Sequence, residues 1–235
     1  MNKIKNLLVA LIAIIAISTS SFAGNMSLGL VTSMMDVDAS GTETDRLTAA
    51  GANVADTSVR NLSKSADVTT GSLYVEYTTE MRIPIAFGVE YTPGEAEIQG
   101  SSSRTDSELS VTGVVIDTAT PSTRSAGASA TNFATAYVEI PLIKGIYVRG
   151  GLSNMTVLHS NDSGLGGSTD LTGTNLGVGY KMTTGGGLHM KLAYEQTDYD
   201  SINLRSSNNS VAANSTGVTA DVDTSAVRFS LGKNF

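Results

Sequence analysis

The last nine residues of the chain decide its fold: Val227-Arg-Phe-Ser-Leu-Gly-Lys-Asn-Phe235. Successive side chains of a β-strand point to opposite faces, so every second residue of this segment shares a face. The apolar face consists of Val227, Phe229, Leu231 and Phe235. The opposite face carries Arg228 and small polar residues. One apolar and one polar face are typical of a strand that separates lipid from the polar lumen of a transmembrane barrel.

Seven more segments alternate in the same way, so we assign eight strands, each with a lipid face and a lumen face. The lipid faces of the first four segments are Met26, Leu28, Leu30, Met34; Leu73, Val75, Tyr77; Ile83, Ile85, Phe87, Val89, Tyr91; and Ala134, Ala136, Val138, Ile140. Those of the next three are Ile146, Val148, Leu152; Leu176, Val178, Tyr180, Met182; and Leu188, Met190, Leu192, Tyr194. This pattern predicts an all-β fold, an eight-stranded antiparallel up-and-down transmembrane β-barrel.

The ionisable residues of these segments fall almost entirely on the lumen face. The carboxylates are Glu76, Glu90, Glu139 and Glu195, and the cations are Arg149, Lys181, Lys191 and Arg228. Lys233 lies on the lipid face, but it is close enough to the strand end for its ammonium group to reach the interface. A charge at mid-bilayer on the lipid side costs about 2–4 kcal/mol. The partition therefore supports the assigned faces.

The lumen of an eight-stranded barrel is just wide enough for its own side chains. Charges inside it persist only when they are paired and hydrogen-bonded. We therefore predict an ionic network, with a Glu195–Arg228 pair across the last two strands and with Arg149 reaching Glu139 or Glu76. A structural polar core is the favoured interpretation of this network, and the selectivity lining of a narrow channel is the alternative.

The connections between the eight segments alternate in length. The long ones, 38–67, 100–130, 159–170 and 198–221, are predicted to be extracellular loops, and the short ones periplasmic turns. Both termini of the barrel then lie in the periplasm. Two stretches inside the long connections, 109–117 and 211–222, also favour strand. We interpret them as hairpin arms above the membrane, and a ten-stranded barrel is the alternative.

Residues 1–23 have the pattern of a cleaved signal peptide. Lys3 and Lys5 precede an aliphatic run over residues 7–17, and Ser21 and Ala23 are the small residues that a signal peptidase requires. A membrane-spanning helix would need roughly 20 apolar residues. The sequence therefore predicts one barrel domain over residues 24–235, exported through the periplasm to the outer membrane of a Gram-negative bacterium.

Composition and motifs exclude several other classes. The chain has no cysteine, hence no disulfide or thiolate metal site, and its net charge of −7 argues against nucleic-acid binding. The segment Asp36-Val-Asp38-Ala-Ser40-Gly41 begins like a calcium-binding loop, but Leu47 stands where that motif requires glutamate. We interpret the segment as an acidic turn. No catalytic pattern surrounds the two histidines, His159 and His189, and no metal or cofactor is predicted.

Taken together, these features resemble the family of small eight-stranded outer-membrane barrels, of the OmpA transmembrane domain, OmpX and opacity-protein type. The resemblance covers residues 24–235. It rests on the signal peptide, the strand rhythm, the alternating connections and the C-terminal strand. It implies that Val227, Phe229, Leu231 and Phe235 form the assembly signal read by the barrel-assembly machinery. Lys233 departs from the apolar or aromatic residue that is usual at its position.

The function predicted from the sequence is that of an integral outer-membrane protein with a structural and surface-interaction role, which displays acidic extracellular loops. The expected partners are the lipid bilayer, lipopolysaccharide through bridging divalent ions, and the barrel-assembly machinery during insertion. A monomer without nucleic acid or enzymatic activity is expected. The alternative function is a narrow, cation-preferring passive diffusion channel.

Overall fold

The computed structural model describes residues 24–48, 55–106, 109–112, 115–118, 122–161, 165–206 and 215–235. The predicted signal peptide, residues 1–23, lies outside this part of the chain. The strands are β1 (Gly24–Thr48), β2 (Ala55–Thr79), β3 (Ala86–Asp106), β4 (Leu109–Thr112), β5 (Val115–Thr118), β6 (Ser122–Pro141), β7 (Ile146–Asn161), β8 (Gly167–Thr183), β9 (Leu188–Ser206) and β10 (Ser215–Asn234). Within the described ranges, no helix is long and apolar enough to cross a membrane.

Eight of these strands close a barrel in the order β1-β10-β9-β8-β7-β6-β3-β2. Each strand is antiparallel to its neighbours, and β10 pairs with β1 from Ser27↔Asn234 to Arg46↔Ser215. The predicted fold class is therefore confirmed. The short strands β4 and β5 pair only with each other, and residues 215–222 are the outer part of β10. The ten-stranded alternative is wrong for the described chain.

The two faces of the wall follow the alternation of the sequence. Lipid-face residues such as Leu30 and Leu176 are 60% and 64% exposed, whereas the lumen residue Glu76 is fully buried. Val89 is an exception, since it lies on the lipid face of β3 between Phe87 and Tyr91 but is only 5% exposed.

The start of the third strand also differs from the prediction. The sequence assigned residues 83–85 to this strand, but they precede β3 and belong to the connection that follows β2.

An apolar belt surrounds the half of the barrel that contains the short connections after β2, β6 and β8. Its exposed members include Leu28, Leu30, Met34, Leu73, Phe87, Tyr91, Val148, Leu152, Leu176, Val178, Tyr180, Leu192, Tyr194, Val227, Phe229 and Leu231. Exposed apolar area on this scale requires a lipid environment. Closed β-barrels with such a belt are the β-structures that span bacterial outer membranes. The outer-membrane location predicted from the sequence agrees with this architecture.

The strands continue well beyond the belt. A membrane-spanning strand needs about 9–11 residues, but β1 and β2 have 25 residues each. We call the part of the barrel that continues beyond the belt the outer wall. It begins at Asp36 on β1 and at its partner Ser225 on β10, and it includes the corresponding parts of the other six strands. Much of the predicted loops 38–67, 100–130, 159–170 and 198–221 is therefore paired strand. The loop prediction was wrong there because serine, threonine, glycine and aspartate are typical of turns as well as of strands that no lipid contacts.

Candidate functional site

Two ionic clusters fill the lumen at the level of the belt. In the lower cluster, nearer the end of the barrel with the short connections, the ammonium group of Lys191 donates hydrogen bonds to Glu76 at 2.5 Å and to Glu139 at 2.6 Å. Lys181 donates to the other carboxylate oxygen of Glu76 at 3.1 Å, and the hydroxyl of Tyr137 donates to Glu76 at 3.2 Å. A completely buried carboxylate thus has two ammonium partners and one phenol partner.

The upper cluster joins two arginines to two glutamates. Arg228 on β10 donates to Glu195 on β9 at 2.6 Å and also contacts Glu90 on β3. Arg149 on β7 donates to Glu90 at 3.2 Å, and its guanidinium lies 3.1 Å from Glu195. Asn175 on β8 donates to Glu195 at 3.3 Å. Side chains from five strands therefore meet on the barrel axis.

All eight ionisable residues predicted for the lumen lie there and form ion pairs: Glu76, Glu90, Glu139, Arg149, Lys181, Lys191, Glu195 and Arg228. The predicted Glu195–Arg228 pair is present. Arg149 does not form its predicted ion pair with Glu139 or Glu76. Its guanidinium stacks 3.6 Å above the ring of Tyr137, which occupies the space toward the lower cluster and turns the arginine to Glu90 and Glu195.

Three tyrosines and the glycines that face them fill the remaining space of the lower lumen. The hydroxyl of Tyr74 lies 2.6 Å from Nε2 of His189. A Cβ added to Gly29 would lie 2.5 Å from the Tyr74 ring, and one added to Gly88 or Gly179 would overlap Tyr137 or Tyr147. The sequence interpretation did not include these residues in the site. They could have been identified from the sequence by one pattern: a tyrosine on the inward face of one strand and a glycine on the inward face of a neighbouring strand.

A small polar chamber lies directly above the upper cluster. It is a cavity of about 60 Å³ whose walls include the hydroxyl groups of Ser33, Thr70, Ser72, Thr92, Thr135, Ser153, Thr197 and Thr224. Some of these groups bond to one another across strands, such as Ser72 to Thr92 at 2.6 Å and Thr135 to Ser153 at 2.9 Å. The carbonyl oxygen of Asn175 borders the chamber without a protein hydrogen-bond partner. A cavity of this size and polarity can hold a few water molecules.

An apolar core inside the outer wall lies above the polar chamber. We call this core the apolar plug; its buried members are Val37, Ala130, Met155, Val157, Leu171, Tyr199, Ile202 and Val222. Met155 and Leu171 are the largest fully buried side chains of the plug, at 0% and 2% exposed. The sequence interpretation missed the plug because several of its residues fall in or next to segments assigned to loops. Ala130, Tyr199 and Ile202 lie within such segments, and Val37 borders one. The inward alternation of β9 through Thr197 and Tyr199 was the available signal.

An acidic band runs along the lipid-side face of the outer wall, just above the belt. Asp36 on β1 is directly opposite Asp67 on β2. Asp38 on β1 is opposite Asp223 on β10, which is in turn opposite Asp198 on β9. The predicted acidic turn at residues 36–41 is wrong, because this segment is extended strand paired on both sides. In the described part of the chain, no group of three or more acidic, histidine or cysteine side chains is arranged to hold a metal ion.

Replacing Asp223 by asparagine is expected to stabilise the outer wall slightly at pH 7. Partial burial and the carboxylates of Asp198, Asp221 and Asp38 raise the pKa of Asp223 above its ordinary value. The folded state thus binds this proton more tightly, and stability falls as pH rises through the folded pKa. Removing a directly opposed like charge is worth about 0.3 kcal/mol. Urea unfolding followed by circular dichroism should show this gain at pH 7 and none at pH 3.

The control for this substitution is Glu97→Gln on β3, since the residue directly opposite Glu97 in the strand register is Ser129 and not a carboxylate. Equal effects of the two substitutions at pH 7 would show that the row of opposed carboxylates does not repel.

The residues of the predicted C-terminal assembly signal are accessible on the surface of the barrel, as their recognition by another protein requires. Val227, Phe229, Leu231 and Phe235 are all exposed on the lipid face. The backbone N–H of Phe235 donates to the carbonyl of Met26 at 2.7 Å, so the segment is paired to its last residue. The ammonium of Lys233 lies 5.7 Å from the centre of the Phe235 ring, at the end of the barrel. Recognition of this segment by the assembly machinery stays a prediction.

No protein-family model and no curated protein sequence matches the chain. Among solved structures, it is similar to Ail of Yersinia pestis, with TM-score 0.34 and 11% identity over 88% of this chain and 99% of that structure. It is also similar to the outer membrane protease OmpT of Escherichia coli, with TM-score 0.43 and 11% identity over 93% and 100%. For the outer membrane protein AlkL in lipid bilayers, the TM-score is 0.40 and the identity 16% over 91% of each chain. These likenesses concern the barrel fold alone.

Proposed function

We propose that this chain is an integral outer-membrane protein with a structural and surface-interaction role, and that its outer wall faces the outside of the cell. One observation carries the proposal: two buried ionic clusters and the apolar plug block the lumen one above the other. The side chains that could have lined a passage instead hold the wall together. What remains available for interaction is the exterior of the outer wall.

Three layers in series support a closed lumen. In the lower cluster Glu76 is 0% and Lys191 4% exposed, and in the upper cluster Arg149 is 6% and Glu195 3% exposed. The four carboxylates and four cations cancel in charge, so each layer is neutral or nearly so. An ion entering the lumen would have to displace a buried partner from its pair, which is strongly unfavourable. Above these layers, Tyr199 is the one buried member of the apolar plug with a polar side-chain group, so the plug offers little to replace the hydration of an ion.

The outer wall supports the surface role. Its carboxylates are held at fixed spacing by paired strands, with Asp38, Asp223 and Asp198 in one row. Divalent cations between such carboxylates and the phosphates of lipopolysaccharide would attach the wall to the outer leaflet. The belt contacts the lipid bilayer, and the C-terminal strand is presented to the barrel-assembly machinery during insertion. Residues 1–23 act as the export signal, and the barrel functions as a monomer without catalysis.

A narrow cation-preferring channel is the second candidate, and one observation favours it. A cavity of about 280 Å³ opens at the periplasmic end of the barrel, where Glu139, Tyr147 and Lys181 contribute to its walls. It leads to the lower cluster. In planar bilayers the proposed function predicts a silent protein, whereas discrete cation-selective openings would favour the channel.

The orientation required by the proposed function can be tested with single cysteines, because the chain has none of its own. Intact cells that carry Asp223→Cys in the outer wall should react with a membrane-impermeant maleimide. Thr184→Cys, in the exposed connection between β8 and β9, is the matched control at the other end of the barrel and should react only after the cells are opened. The reverse pattern of labelling would contradict the proposed orientation.

A further inference from the structure

The wall of the barrel is open on one side above the belt. β2 and β3 pair only from Leu73↔Tyr91 to Thr78↔Ala86. Beyond this point β2 continues to Ala55 in register with β1, and β3 continues to Asp106 beside β6. In the described strands, residues 55–72 of β2 and 92–106 of β3 do not pair with each other. We call this gap in the outer wall the seam.

Pro93 explains why the pairing stops where it does. The N–H of Thr79 donates to the carbonyl of Ile85, which identifies a hydrogen-bonded pair. Hydrogen-bonded pairs recur at every second residue of an antiparallel ladder, so Leu73 and Tyr91 form another. The next would join Gly71 to Pro93, and proline has no N–H to donate.

The chain after Pro93 turns away from β2. Gly94 has φ +102°, a backbone conformation that favours glycine, and the register of β3 with β6 shifts between Thr92 and Glu95. The hydroxyls of Ser72 and Thr92 still bond at 2.6 Å, immediately above the last strand pair. The seam therefore begins at this contact and is encoded in the sequence by Pro93-Gly94.

The seam presents a strand edge with hydrogen-bonding groups. The N–H and C=O of alternate residues point to the same side of a strand. Since Thr79 points to β3, the backbone groups of Gly71, Thr69 and Asp67 point into the seam as well, while the residues between them bond to β1. An unpaired edge of this kind is a template for the addition of another strand.

The two faces of the seam differ in chemistry. On the inner side, Val68 of β2 and Ile98 of β3 pack against the apolar plug, and Ala96 is buried. On the outer side, Asp67, Glu95 and Glu97 are exposed. A strand placed here would direct every second side chain to an apolar interior and the others to a row of carboxylates.

We propose that the seam binds an extended segment of a partner protein in which apolar and basic residues alternate. The segment adds to β2 as a strand, its main chain bonds to Gly71, Thr69 and Asp67, and its basic side chains lie beside the outer carboxylates. This inference rests on the proposed function, because the partner reaches the seam only if the outer wall faces outward.

The test uses the folded mature protein in detergent micelles and a fluorescent nine-residue peptide of alternating valine and lysine. Fluorescence anisotropy should show binding to the unmodified protein at least tenfold tighter than that of the matching valine–glutamate peptide. Thr69→Pro removes an N–H that points into the seam and leaves the β1 hydrogen bonds in place, so it should weaken binding at least tenfold. Thr69→Val keeps the N–H and is the matched control with unchanged binding.

A second variant tests the charges without altering the backbone. Glu95→Gln combined with Glu97→Gln should weaken binding severalfold and reduce its dependence on salt. Equal binding by Thr69→Pro and Thr69→Val, or equal binding of the two peptides, would overturn the proposal. So would a dimer in micelles that Thr69→Pro converts to monomer, since the occupant would then be a second copy. The two proposals can fail separately. If the peptide binds in micelles but Asp223→Cys is not labelled on intact cells, the proposed orientation is contradicted and the binding of a strand at the seam is not.

Discussion

Replacing Glu76 by glutamine is expected to destabilise the barrel by about 3–5 kcal/mol, because it leaves buried positive charge without its partner. Glu76 is the shared acceptor of Lys191 and Lys181 and is completely buried. Glutamine keeps the size of the side chain but not its charge, so two ammonium groups would compete for the one remaining carboxylate, Glu139. Urea unfolding of the protein in lipid vesicles, followed by circular dichroism, measures the loss.

The matched control is Glu80→Gln, the same substitution at an exposed position between β2 and β3. A change within about 0.5 kcal/mol is expected for it. Adding Lys191→Met to Glu76→Gln should recover part of the lost stability, because the double substitution removes the ammonium group of Lys191 together with its partner, the carboxylate of Glu76. A lower cluster that tolerates Glu76→Gln as easily as Glu80→Gln would show that the buried charges are not coupled.

Truncating the apolar plug is the second large effect. Leu171→Ala and Met155→Ala are each expected to cost about 2–5 kcal/mol, since both side chains are almost completely buried and would leave cavities. Leu176→Ala, on the lipid face of the same strand as Leu171, is the control. Its cost should be smaller because lipid occupies the vacated space. Urea titrations of the three variants in vesicles give the comparison.

Planar-bilayer recordings of Leu171→Ala give a second measurement on the same protein. The two ionic clusters lie below the plug and are unaltered, so the variant should stay as silent as the unmodified chain. Equal stability losses for Leu171→Ala and Leu176→Ala would mean that the interior of the outer wall is not packed. Current through Leu171→Ala alone would mean that the plug, and not the clusters, closes the lumen.

The barrel and its faces could be predicted from the sequence because a strand between lipid and lumen imposes the same constraint at every second residue. Glu76, Arg149 and Arg228 were placed in the lumen on this basis, and the structure buries all three. Their partners were harder to predict. Strand tilt and the ring of Tyr137 determine which carboxylate Arg149 reaches, and neither follows from residue spacing.

The outer wall could not be predicted because its constraint is different. Outside the membrane, neither face of a strand has to be apolar over its whole length, so the alternation fades into serine, threonine and aspartate. The plug residues Val37 and Met155 are separated by about half of the chain, and their packing in one core depends on the closed barrel. By contrast, Pro93-Gly94 is visible in the sequence, but its effect depends on the register of β2 against β3.

The pairing of β1 with β10 spans nearly the full height of the wall and joins residues close to the two ends of the barrel domain. The first strand therefore has no partner on one side until the last one has been delivered across the inner membrane. A chain interrupted before Ser215 would carry two unsatisfied edges, on β1 and β9, and would be a substrate for aggregation or proteolysis. Biogenesis of this protein must accordingly keep the emerging polypeptide protected until its C-terminus arrives.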